Sequence, residues 1–596
     1  MSTDYHPVRI GTFHPVLERR ADGTSLLANR SPLPAARRCL GEYLRHWAEA
    51  APDRTFIARR DVTGVWRTWS YGRTLARVER LASALLQRNL SPDRPIAILS
   101  GNDIEHALLA LAAMHVGIPY VPVSPAYSLL SKDHAKLKGI LSNLTPGLVF
   151  AADGVRFERA LRAAVPADAE IVVTGNLPPD MPGMPFEDLD AEPDERLRQA
   201  FADIDGDTIA KFLMTSGSTG VPKAVINTQR MICTNQVQIH SVLAFLTDTP
   251  PVILDCLPWN HTFGGNHNFG ITLVNGGSLH IDDGRPTAEH IGETVRNLRD
   301  IRPTVYFNVP KGYEELIPHL RADQALCENL FGDLEMLFFA GAGMAAHVWQ
   351  ALDELAVRTT GRKVTMLTGL GATETAPFAL NCDPSNTGSG RIGLPVPGVT
   401  LKLVPSGQKL EVRIKGPNVT PGYWRQPELT AAAFDEEGFY CLGDAVRFVD
   451  EEDLSKGLAF DGRVAEDFKL ATGTWISTGP LRAAAIAALA PYARDVVVCA
   501  PNRNELGLLV VADPDATAGK PAGELREALR LGLAELNADA TGSSKRVMRL
   551  MLLDEPLSID RGEVTDKGSI NQRAVLENKP HLVDELYAGS ARVILP

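Results

Sequence analysis

The sequence Met214-Thr-Ser-Gly-Ser-Thr-Gly-Val-Pro-Lys-Ala224 decides how the rest of the chain is interpreted. Gly217 and Gly220 allow the backbone to approach a ligand closely. The polar donors of the stretch are the hydroxyl groups of Thr215, Ser216, Ser218 and Thr219 and the ammonium group of Lys223. Polyphosphate oxygens accept many hydrogen bonds and carry concentrated negative charge. The stretch therefore predicts a phosphate-binding loop.

Two other interpretations compete with this one. A Walker A loop has a lysine directly after its last glycine and a helix after that. Here Val221 and Pro222 intervene, and the residues from Ala224 to Thr228 favour a strand. A flexible Gly/Ser surface turn is the common outcome for such a composition, but the order of residues here is more specific. We therefore expect a strand–loop–strand connection.

Length and composition limit the possible classes of protein. A chain of 596 residues is too long for one ordinary core and predicts two to four domains. The hydrophobic content of 44% and the charged content of 22% are typical of a soluble globular protein. With a net charge of −12 and a pI near 5.7, nucleic acid is not an expected partner.

Cysteine usage and hydropathy indicate the compartment. The seven cysteines are scattered, without a CxxC pair, so we expect a reducing cytoplasm and no disulfide framework. Charged residues near the N-terminus, such as Asp4 and Arg9, argue against a signal peptide. The most apolar run, Ala107 to Val123, contains a histidine and two prolines. It predicts a buried helix followed by a strand, and no membrane span is expected.

Hydrophobic periodicity predicts an α/β protein. Amphipathic helical patterns alternate with short apolar runs such as Ile96–Leu99 and Val364–Thr368. Between Gly388 and Asp450 glycine and proline are frequent and the strands short, which predicts a small β-rich subdomain. From Gly462 onward an α+β pattern returns. Residues 1–35 are mixed in character and are interpreted as a surface extension.

Several residues are candidates for chemistry, but each has an ordinary alternative. Thr373 and Glu374 follow a buried strand, where a carboxylate can hold Mg²⁺ on phosphate oxygens. The alternative is a helix N-terminus capped by Thr373. A lone Asp444 after a glycine is often a turn former, and a lone His261 is usually structural. Lys567, which precedes a glycine, alone suggests a mobile surface residue.

Taken together, these segments resemble one family. They are Thr215–Lys223, Leu257-Pro-Trp-Asn-His261, Gly371-Ala-Thr-Glu374, Gly416 with Gly422-Tyr-Trp-Arg-Gln-Pro427, Gly443-Asp444, Gly462-Arg463 and Lys567. Their order and rough spacing resemble the adenylate-forming superfamily of acyl- and aryl-CoA ligases, luciferases and peptide-synthetase adenylation domains. Residues 460–475 and 562–573 look most like the feruloyl-CoA synthetase branch, and are similar to the adenylation domain of carboxylic acid reductases.

The resemblance implies a domain organisation. An N-terminal adenylation domain over residues 36–461 would contain two α/β subdomains and the β-rich subdomain. A hinge at 462–465 would connect it to a smaller, mobile α+β domain at 466–596. Family hinges usually carry a polar or charged residue two positions after the arginine, whereas Ala465 stands here. At this hinge position the sequence therefore departs from the usual pattern of the family.

The resemblance also implies roles in binding ATP, Mg²⁺ and coenzyme A. Thr373 would bond the α-phosphate, Glu374 would hold the metal, and Asp444 would accept hydrogen bonds from ribose hydroxyls with Arg463 assisting. Lys567 would bridge the substrate carboxylate and the α-phosphate. The full set of cofactor-binding residues would be Thr215, Ser216, Gly217, Ser218, Thr219, Gly220, Lys223, Gly341, Ala342, Leu370, Gly371, Asp444, Arg463, Lys469 and Gly473. Leu370 stands where relatives carry an aromatic residue that stacks on adenine, so apolar contact must replace stacking there.

For transfer to the thiol, the family rotates its C-terminal domain. Lys567 would leave, and Lys469 to Trp475 would enter with Gly473 beside the pantetheine arm. His261 would gate the passage to the thiol. The acyl pocket would be lined by Phe263, Ala340, Gly341, Thr368 and Gly369. The small residues among them, such as Ala340 and Gly341, leave room for a planar ring such as that of ferulate, although similar pockets take benzoates or medium-chain acids.

The expected function is thus an ATP-dependent aryl-CoA ligase acting on a hydroxycinnamate, as a monomer or a homodimer. Two alternatives stay open at this stage. One is an acyl-AMP ligase that loads a carrier protein in trans. The other is a non-catalytic regulator that binds an adenylate or an acyl group, although such a binder would not need a charge-neutralising residue such as Lys567.

Overall fold

A computed structural model of the chain describes residues 4–215, 222–472, 475–499, 503–538, 546–565 and 568–596. Strands and helices alternate over most of its length, which confirms the predicted α/β class. A larger N-terminal part is followed by a smaller α+β part. Within the described ranges, no helix is long and apolar enough to cross a membrane.

The first part of the chain, up to residue 215, contains ten strands and seven helices. The strands are β1 (Pro15–Arg19), β2 (Ser25–Asn29), β3 (Thr55–Arg60), β4 (Trp66–Ser70), β5 (Ile96–Leu99), β6 (Tyr120–Pro122), β7 (Leu148–Ala151), β8 (Glu170–Val173), β9 (Met184–Pro185) and β10 (Ile209–Thr215). The helices are α1 (Leu40–Ala50), α2 (Tyr71–Leu85), α3 (Ile104–His115), α4 (Pro125–Leu129), α5 (Ala135–Leu144), α6 (Gly154–Ala164) and α7 (Glu195–Asp203).

Twelve strands and seven helices follow between residues 222 and 463. The strands are β11 (Lys223–Thr228), β12 (Val252–Asp255), β13 (Ser278–Ile281), β14 (Val305–Asn308), β15 (Met336–Phe339), β16 (Thr365–Leu370), β17 (Leu380–Asn381), β18 (Arg391–Pro395), β19 (Thr400–Ser406), β20 (Lys409–Lys415), β21 (Tyr440–Phe448) and β22 (Leu458–Arg463). The helices are α8 (Gln229–Val242), α9 (Phe269–Val274), α10 (Ile291–Asp300), α11 (Pro310–Ala322), α12 (Gln324–Phe331), α13 (Ala346–Thr360) and α14 (Pro427–Ala432).

The smaller part begins after β22. Its described strands are β23 (Phe468–Lys469), β24 (Trp475–Ile476), β25 (Ala493–Cys499), β26 (Leu506–Ala512) and β27 (Val547–Leu553). Its described helices are α15 (Thr478–Ala488), α16 (Pro514–Thr517), α17 (Ala522–Ala538), α18 (Gln572–Asn578) and α19 (Pro580–Ala588). Residues of α15 and α17 cover one face of the β25–β26–β27 sheet, and residues of α18 and α19 cover the other.

The first large sheet has the order β11-β10-β6-β5-β7-β8-β9. All its neighbours are parallel except β10 and β11, which form an antiparallel pair. Parallel sheets covered on both faces need strands that are apolar throughout, and every residue of Ile96–Leu99 is buried. Helix α3 is buried along its whole length and leads into β6, as the apolar run predicts.

The second large sheet has eleven strands in the order β1-β2-β19-β20-β21-β22-β18-β17-β16-β15-β14. Strands β14, β15 and β16 are parallel, and the remaining pairs are antiparallel. Within the antiparallel portion, β18, β19, β20 and β21 lie in the predicted β-rich region between Gly388 and Asp450. A four-stranded sheet, β12-β13-β3-β4, completes the N-terminal part. The carboxyl ends of β14, β15 and β16 therefore meet at one edge, where ligands of α/β sheets bind.

The N-terminal residues are more ordered than the sequence predicts. Residues 15–29 form a hairpin whose second strand pairs with β19. Leu27 of β2 is fully buried in the main core. The predicted surface extension is thus, over this range, the end of the eleven-stranded sheet. The mixed polarity of strands at a sheet edge gives little periodic signal, which explains why the pattern does not reveal them.

Candidate active site

The predicted phosphate loop connects two antiparallel strands. Thr215 ends β10 and pairs directly with Lys223 at the start of β11, which confirms the strand–loop–strand prediction. The hydroxyl oxygen of Thr215 is buried and has no hydrogen-bond partner among the described residues. An unpaired buried hydroxyl is costly unless a ligand uses it. The other predicted loop residues, Ser216, Gly217, Ser218, Thr219 and Gly220, lie outside the described residues.

A tyrosine connects the lysine of this loop to the candidate metal ligand. Lys223 Nζ donates a 3.0 Å hydrogen bond to Tyr423 Oη, which in turn donates a 3.0 Å bond to Glu374 Oε1. Burial lowers the pKa of Lys223, and burial next to Glu374 raises the pKa of Tyr423. The raised pKa keeps the phenol of Tyr423 neutral, so it can accept from Lys223 and donate to Glu374 at the same time. The sequence prediction gave Tyr423 no role, although it belongs to the Gly422–Pro427 segment.

The backbone around Glu374 is held firmly. Residues Thr373–Thr375 form a single 3-10 turn directly after β16. The predicted alternative, a helix capped by Thr373, is wrong, because the side chain that bonds the turn is that of Thr375, which accepts from Ala372 N at 2.9 Å. Thr420 N donates to the carbonyl of Glu374 at 2.8 Å. A Cβ atom at Gly371 would lie 1.4 Å from the carbonyl oxygen of Pro377, so only glycine fits.

Glu374 fits a magnesium ion that is shared with phosphates. Its side chain is buried at 5% exposure, and it is the only predicted metal ligand. Among the residues that the structure describes, no cluster of three or more His, Cys, Asp or Glu side chains could hold a metal. Mg²⁺ typically binds one or two carboxylates together with substrate phosphates and water. A single carboxylate beside a phosphate loop is therefore the expected donor set for Mg²⁺ bound to a nucleotide.

The predicted ribose ligands lie opposite each other on β21 and β22. Asp444 pairs with Arg463 in the strand register, and Arg463 Nε lies 3.3 Å from Asp444 Oδ1. This contact lacks hydrogen-bond geometry, and Asp444 Oδ1 is buried without a hydrogen-bond partner in the described part of the chain. Burial raises the pKa of Asp444 to about 6, while the charge of Arg463 opposes that shift. Asp444 Oδ1 is thus a buried acceptor that can take a hydrogen bond from a ligand.

The predicted acyl-pocket residues gather at the carboxyl edge of the parallel strands. Ala340 follows β15, and Gly341, Ala342 and Gly343 continue as an exposed loop in which Gly341 has a φ of +87°. Thr368, Gly369 and Leu370 form the end of β16, and Leu370 packs against the main core. Phe263 lies near the second last residues of β14 and β15, with ring centroids 6.3 Å from Phe307 and 6.0 Å from Phe338.

His261 lies in a loop whose backbone is hydrogen-bonded to the side chain of Asn102. The side chain of Asn102 donates to Leu257 O and accepts from Trp259 N, each at 2.9 Å. Directly after His261, residues Phe263–Asn268 form a π-helical turn. Such turns are rare and often occur at functional sites. The sequence did not predict this turn.

Two buried side chains fix the π-helical turn. Lys211 Nζ, on β10, donates to Gly265 O at 2.9 Å, and Gln236 Nε2 donates to Asn266 O at 2.7 Å. Lys211 is 1% exposed, and burial lowers its pKa to about 7. A Cβ atom at Gly265 would lie 2.2 Å from Trp259 O. The turn thus depends on the polar residues Lys211 and Gln236. Hydrophobic periodicity does not predict a role for a polar residue in an otherwise apolar segment.

The smaller part of the chain contacts the larger one near residue 131. Asp560 accepts hydrogen bonds from Ser131 Oγ at 2.7 Å and from Lys132 N at 3.2 Å, and Lys136 Nζ donates to Ile559 O at 2.5 Å. Lys469, which is exposed, lies on the short hairpin of β23 and β24. The predicted residues Lys567 and Gly473 lie outside the described residues.

Comparisons with known proteins agree with this geometry. Residues 44–424 match the family model described as AMP-binding enzyme, and residues 468–591 match the AMP-binding enzyme C-terminal domain. A feruloyl-CoA synthase from Amycolatopsis sp is 27% identical over 386 residues, covering 63% of this chain and 70% of that protein. A 3-hydroxybenzoate–CoA ligase from Aromatoleum sp. (strain CIB) is 25% identical over 496 residues, covering 79% of this chain and 87% of that protein.

A solved structure shows the same fold. The adenylation domain of the carboxylate reductase from Mycobacterium chelonae has a TM-score of 0.72 to this chain and 22% sequence identity. The superposition covers 92% of this chain and 91% of that domain. The arrangement of a large N-terminal part and a small C-terminal part is therefore common to both proteins.

Proposed function

The chain belongs to the AMP-binding enzyme family, which is the adenylate-forming superfamily, and on that premise we propose that it is an ATP-dependent aryl-CoA ligase. It activates a hydroxycinnamate-type acid, such as ferulate, as an acyl-AMP and transfers the acyl group to the thiol of coenzyme A. The observation that carries this proposal is the continuous contact from Lys223 through Tyr423 to Glu374. In this proposal Lys223 binds phosphate and Glu374 binds the metal, and both side chains are hydrogen-bonded to one phenol.

The first half-reaction forms the acyl-AMP. An oxygen of the substrate carboxylate attacks the α-phosphorus of ATP, the bond to the bridging oxygen of the β-phosphate breaks, and pyrophosphate leaves. Lys223 and the Thr215 hydroxyl hold the terminal phosphates, and Thr373 bonds the α-phosphate. Glu374 would hold Mg²⁺, which would neutralise charge on the phosphate oxygens. Asp444 and Arg463 hold the ribose, and Lys567 neutralises charge at the reacting phosphorus.

The second half-reaction makes the thioester. The deprotonated thiol of coenzyme A attacks the acyl carbonyl, and AMP leaves with the electron pair of the broken C–O bond. We place the hinge at 462–465, so that residues 466–596 rotate and bring Lys469 and Gly473 towards the acyl-AMP. His261, on the loop ahead of the π-helical turn, gates the approach of the thiol.

Two considerations support an aromatic acid. The residues after β15 are small, Ala340 and Gly341 among them, and Phe263 offers a ring face, so a planar acyl group fits better than a bulky one. Relatives named for their action on ferulate and on 3-hydroxybenzoate are similar to this chain along much of its length. Ferulate and 3-hydroxybenzoate both carry a hydroxylated aromatic ring, and ferulate, a hydroxycinnamate, has the longer chain between the ring and the carboxylate.

The test is pyrophosphate release with Mg·ATP across ferulate, p-coumarate, caffeate, benzoate and octanoate, each with and without coenzyme A. We expect ferulate to give turnover that rises on adding coenzyme A, with feruloyl-CoA as product. The variant Glu374→Gln, which keeps the side-chain shape but not the charge, should lower the rate by about 10²–10³-fold. A burst of one equivalent that coenzyme A does not extend would instead indicate loading of a carrier protein. Silence across the panel, with ATP still bound, would refute the ligase.

A further inference from the structure

Three buried polar side chains form a line from the end of β12 into the π-helical turn. Asn268 Nδ2 donates to Asp255 Oδ1 at 3.1 Å, and His267 Nδ1 lies 2.9 Å from Asn268 Oδ1. Asp255 and His267 are each 1% exposed, and Asn268 is 0% exposed. None of these residues has a role in the mechanism above, so their burial in the centre of the protein requires another explanation.

This line fixes the tautomer of His267. Because the amide nitrogen of Asn268 faces the carboxylate of Asp255, its amide oxygen must face the imidazole and can only accept. His267 Nδ1 therefore carries the proton and donates to Asn268 Oδ1. Burial lowers the pKa of His267 to about 4, so the ring is neutral in ordinary buffers. The other ring nitrogen, Nε2, is consequently a hydrogen-bond acceptor.

Among the described residues, that acceptor has no donor within hydrogen-bonding distance. His267 Nε2 is buried and has no hydrogen-bond partner in the described ranges of the chain. Aromatic rings surround the imidazole, with centroid distances of 5.4 Å to Phe263, 5.2 Å to Phe307, 5.5 Å to Phe338 and 5.7 Å to Phe378. Native proteins pair the great majority of their buried polar atoms, and an exception frequently has a functional reason.

The position of the ring gives that reason. Phe307 and Phe338 are paired neighbours, one residue before the carboxyl ends of β14 and β15. Phe263 is a predicted acyl-pocket residue, and Thr368 pairs with the last residue of β15. His267 therefore lies beneath the edge at which the acid is expected to bind. An acid whose carboxylate faces the phosphate loop would extend its far end towards these rings.

We propose that His267 Nε2 accepts a hydrogen bond from a hydroxyl or amino group on the ring of the substrate acid. His267 is thus a specificity residue, and Asp255 and Asn268 are positioning residues that keep its tautomer. The substrate class is an aromatic acid that carries a donor, as opposed to the unsubstituted acid or its methyl ether. This inference rests on the proposed function, since it assigns a role within the same acyl pocket.

The experiment compares matched acids in wild type and in two variants. The acids are 3- and 4-hydroxycinnamate, their methyl ethers and cinnamate, and the readout is kcat/KM for pyrophosphate release. The variant His267→Phe keeps an aromatic ring of similar shape but has no acceptor. The variant His267→Gln keeps a hydrogen-bond acceptor, the amide oxygen, on a side chain that is not aromatic. His115→Phe is the control, because His115 is also a buried histidine, stacked on Phe201 at 4.4 Å, and it lies in α3.

We expect wild type to prefer at least one hydroxycinnamate over cinnamate by about 10²-fold, because a pocket built around a hydrogen bond rejects an acid that lacks the donor. His267→Phe should reduce that preference to within about threefold, mainly by losing activity on the hydroxylated acid, and His267→Gln should restore part of it. His115→Phe should leave the preference unchanged. Equal use of both acids by wild type, or an unchanged preference in His267→Phe, would overturn the inference while the ligase function stands.

Binding is measured in parallel as the change in Tm that each acid causes. If no acid releases pyrophosphate, the proposed function fails. The inference on His267 then survives only if hydroxycinnamate raises Tm more than cinnamate does and this difference is lost in His267→Phe. An equal shift for both acids, or no shift with either, overturns it as well.

Discussion

Tyr423 Oη donates a 3.0 Å hydrogen bond to Glu374 Oε1, across 49 residues of sequence. The same phenol accepts from Lys223, so the buried Glu374 and the half-buried Lys223 are connected through the phenol. In the absence of a nucleotide this arrangement keeps both charged groups hydrogen-bonded. Binding of phosphates can then replace the contacts of the phenol without first breaking an ion pair.

We expect Tyr423→Phe to lower kcat/KM for ATP by about tenfold, because a hydrogen bond to a charged group is worth about 1.5–3 kcal/mol. The measurement is pyrophosphate release as a function of Mg·ATP concentration. Tyr313→Phe is the matched control, since Tyr313 is a buried tyrosine whose hydroxyl bonds Tyr306 O and Phe338 O. Loss of stability without loss of kcat/KM in Tyr423→Phe would contradict the role assigned to the phenol.

Binding of the nucleoside should depend on pH through Asp444. Burial raises the pKa of this carboxyl group to about 6, and ribose hydroxyls donate more strongly to the ionised form. At pH 5 the binding-competent form is a minority, so affinity for adenosine should fall up to about tenfold between pH 7 and pH 5. Adenosine is the probe because it has no phosphate to titrate. Asp444→Asn should bind adenosine weakly but without this pH dependence.

The contribution of Asp444 to the free energy of unfolding changes with pH in the opposite direction to the affinity for adenosine. Because the pKa in the folded state lies above the ordinary value of 3.8 for an aspartate, the folded protein holds the proton more tightly than the unfolded chain does. The contribution of Asp444 to stability is therefore complete below about pH 4 and decreases as pH rises through about 6. Urea unfolding of wild type and Asp444→Asn should diverge in this window, and parallel curves would contradict the assigned pKa.

The stability of the protein should depend on pH through Lys211 as well, in the direction opposite to that of Asp444. Its pKa is lowered to about 7 by burial, so between about pH 7 and pH 10 the unfolded chain binds more protons than the folded protein. Stability should rise with pH in this range, by about 2 kcal/mol between pH 7 and pH 9. Lys211→Met should lack this rise, whereas a change at the exposed Lys138 should not affect it. Urea unfolding at three pH values measures the difference, and equal slopes for wild type and Lys211→Met would refute it.

The contact between Ser131 and Asp560 should influence one half-reaction more than the other. It brings the segment that precedes Lys567 onto the larger part of the chain. We expect Asp560→Ala to slow the formation of acyl-AMP several-fold, and to leave thioester formation from supplied acyl-AMP unchanged. Asp584→Ala is the control, because Asp584 pairs with Arg503 inside the smaller part. Equal slowing of both half-reactions in Asp560→Ala would indicate a general structural effect.

Much of the fold could be predicted from the sequence, because its elements are short apolar runs with clear boundaries. Ile96–Leu99 follows a proline, and Val547–Leu553 is an apolar run interrupted only by Arg549, so both strands occur where the pattern places them. The sequence does not predict the hairpin of residues 15–29, because the hairpin is stabilised by pairing with β19. In that pairing Leu27 lies opposite Leu401, which is distant in sequence.

The residues of the candidate site also fall into two groups, those that the sequence predicts and those that it does not. Residues within motifs, such as Thr215, Glu374 and Asp444, carry a signal in their immediate neighbours. The neighbours of His267 carry no such signal, and those of Tyr423 mark the Gly422–Pro427 segment without giving the tyrosine a role. Both residues gain their importance from contacts with residues distant in sequence. A tyrosine or a histidine in an otherwise apolar segment is usually part of the core. Only the spatial arrangement of hydrogen bonds distinguishes these two from ordinary buried side chains.

The N-terminal hairpin also matters for how the protein remains dispersed. Strands β1 and β2 cover the edge of β19, whose backbone donors and acceptors would otherwise face water. Uncovered edges of this kind recruit strands from other molecules. Proteolytic removal of the first thirty residues would leave every residue of the candidate site in place, yet it would open a surface for aggregation. Light scattering after such removal should therefore increase while the fresh sample retains its activity.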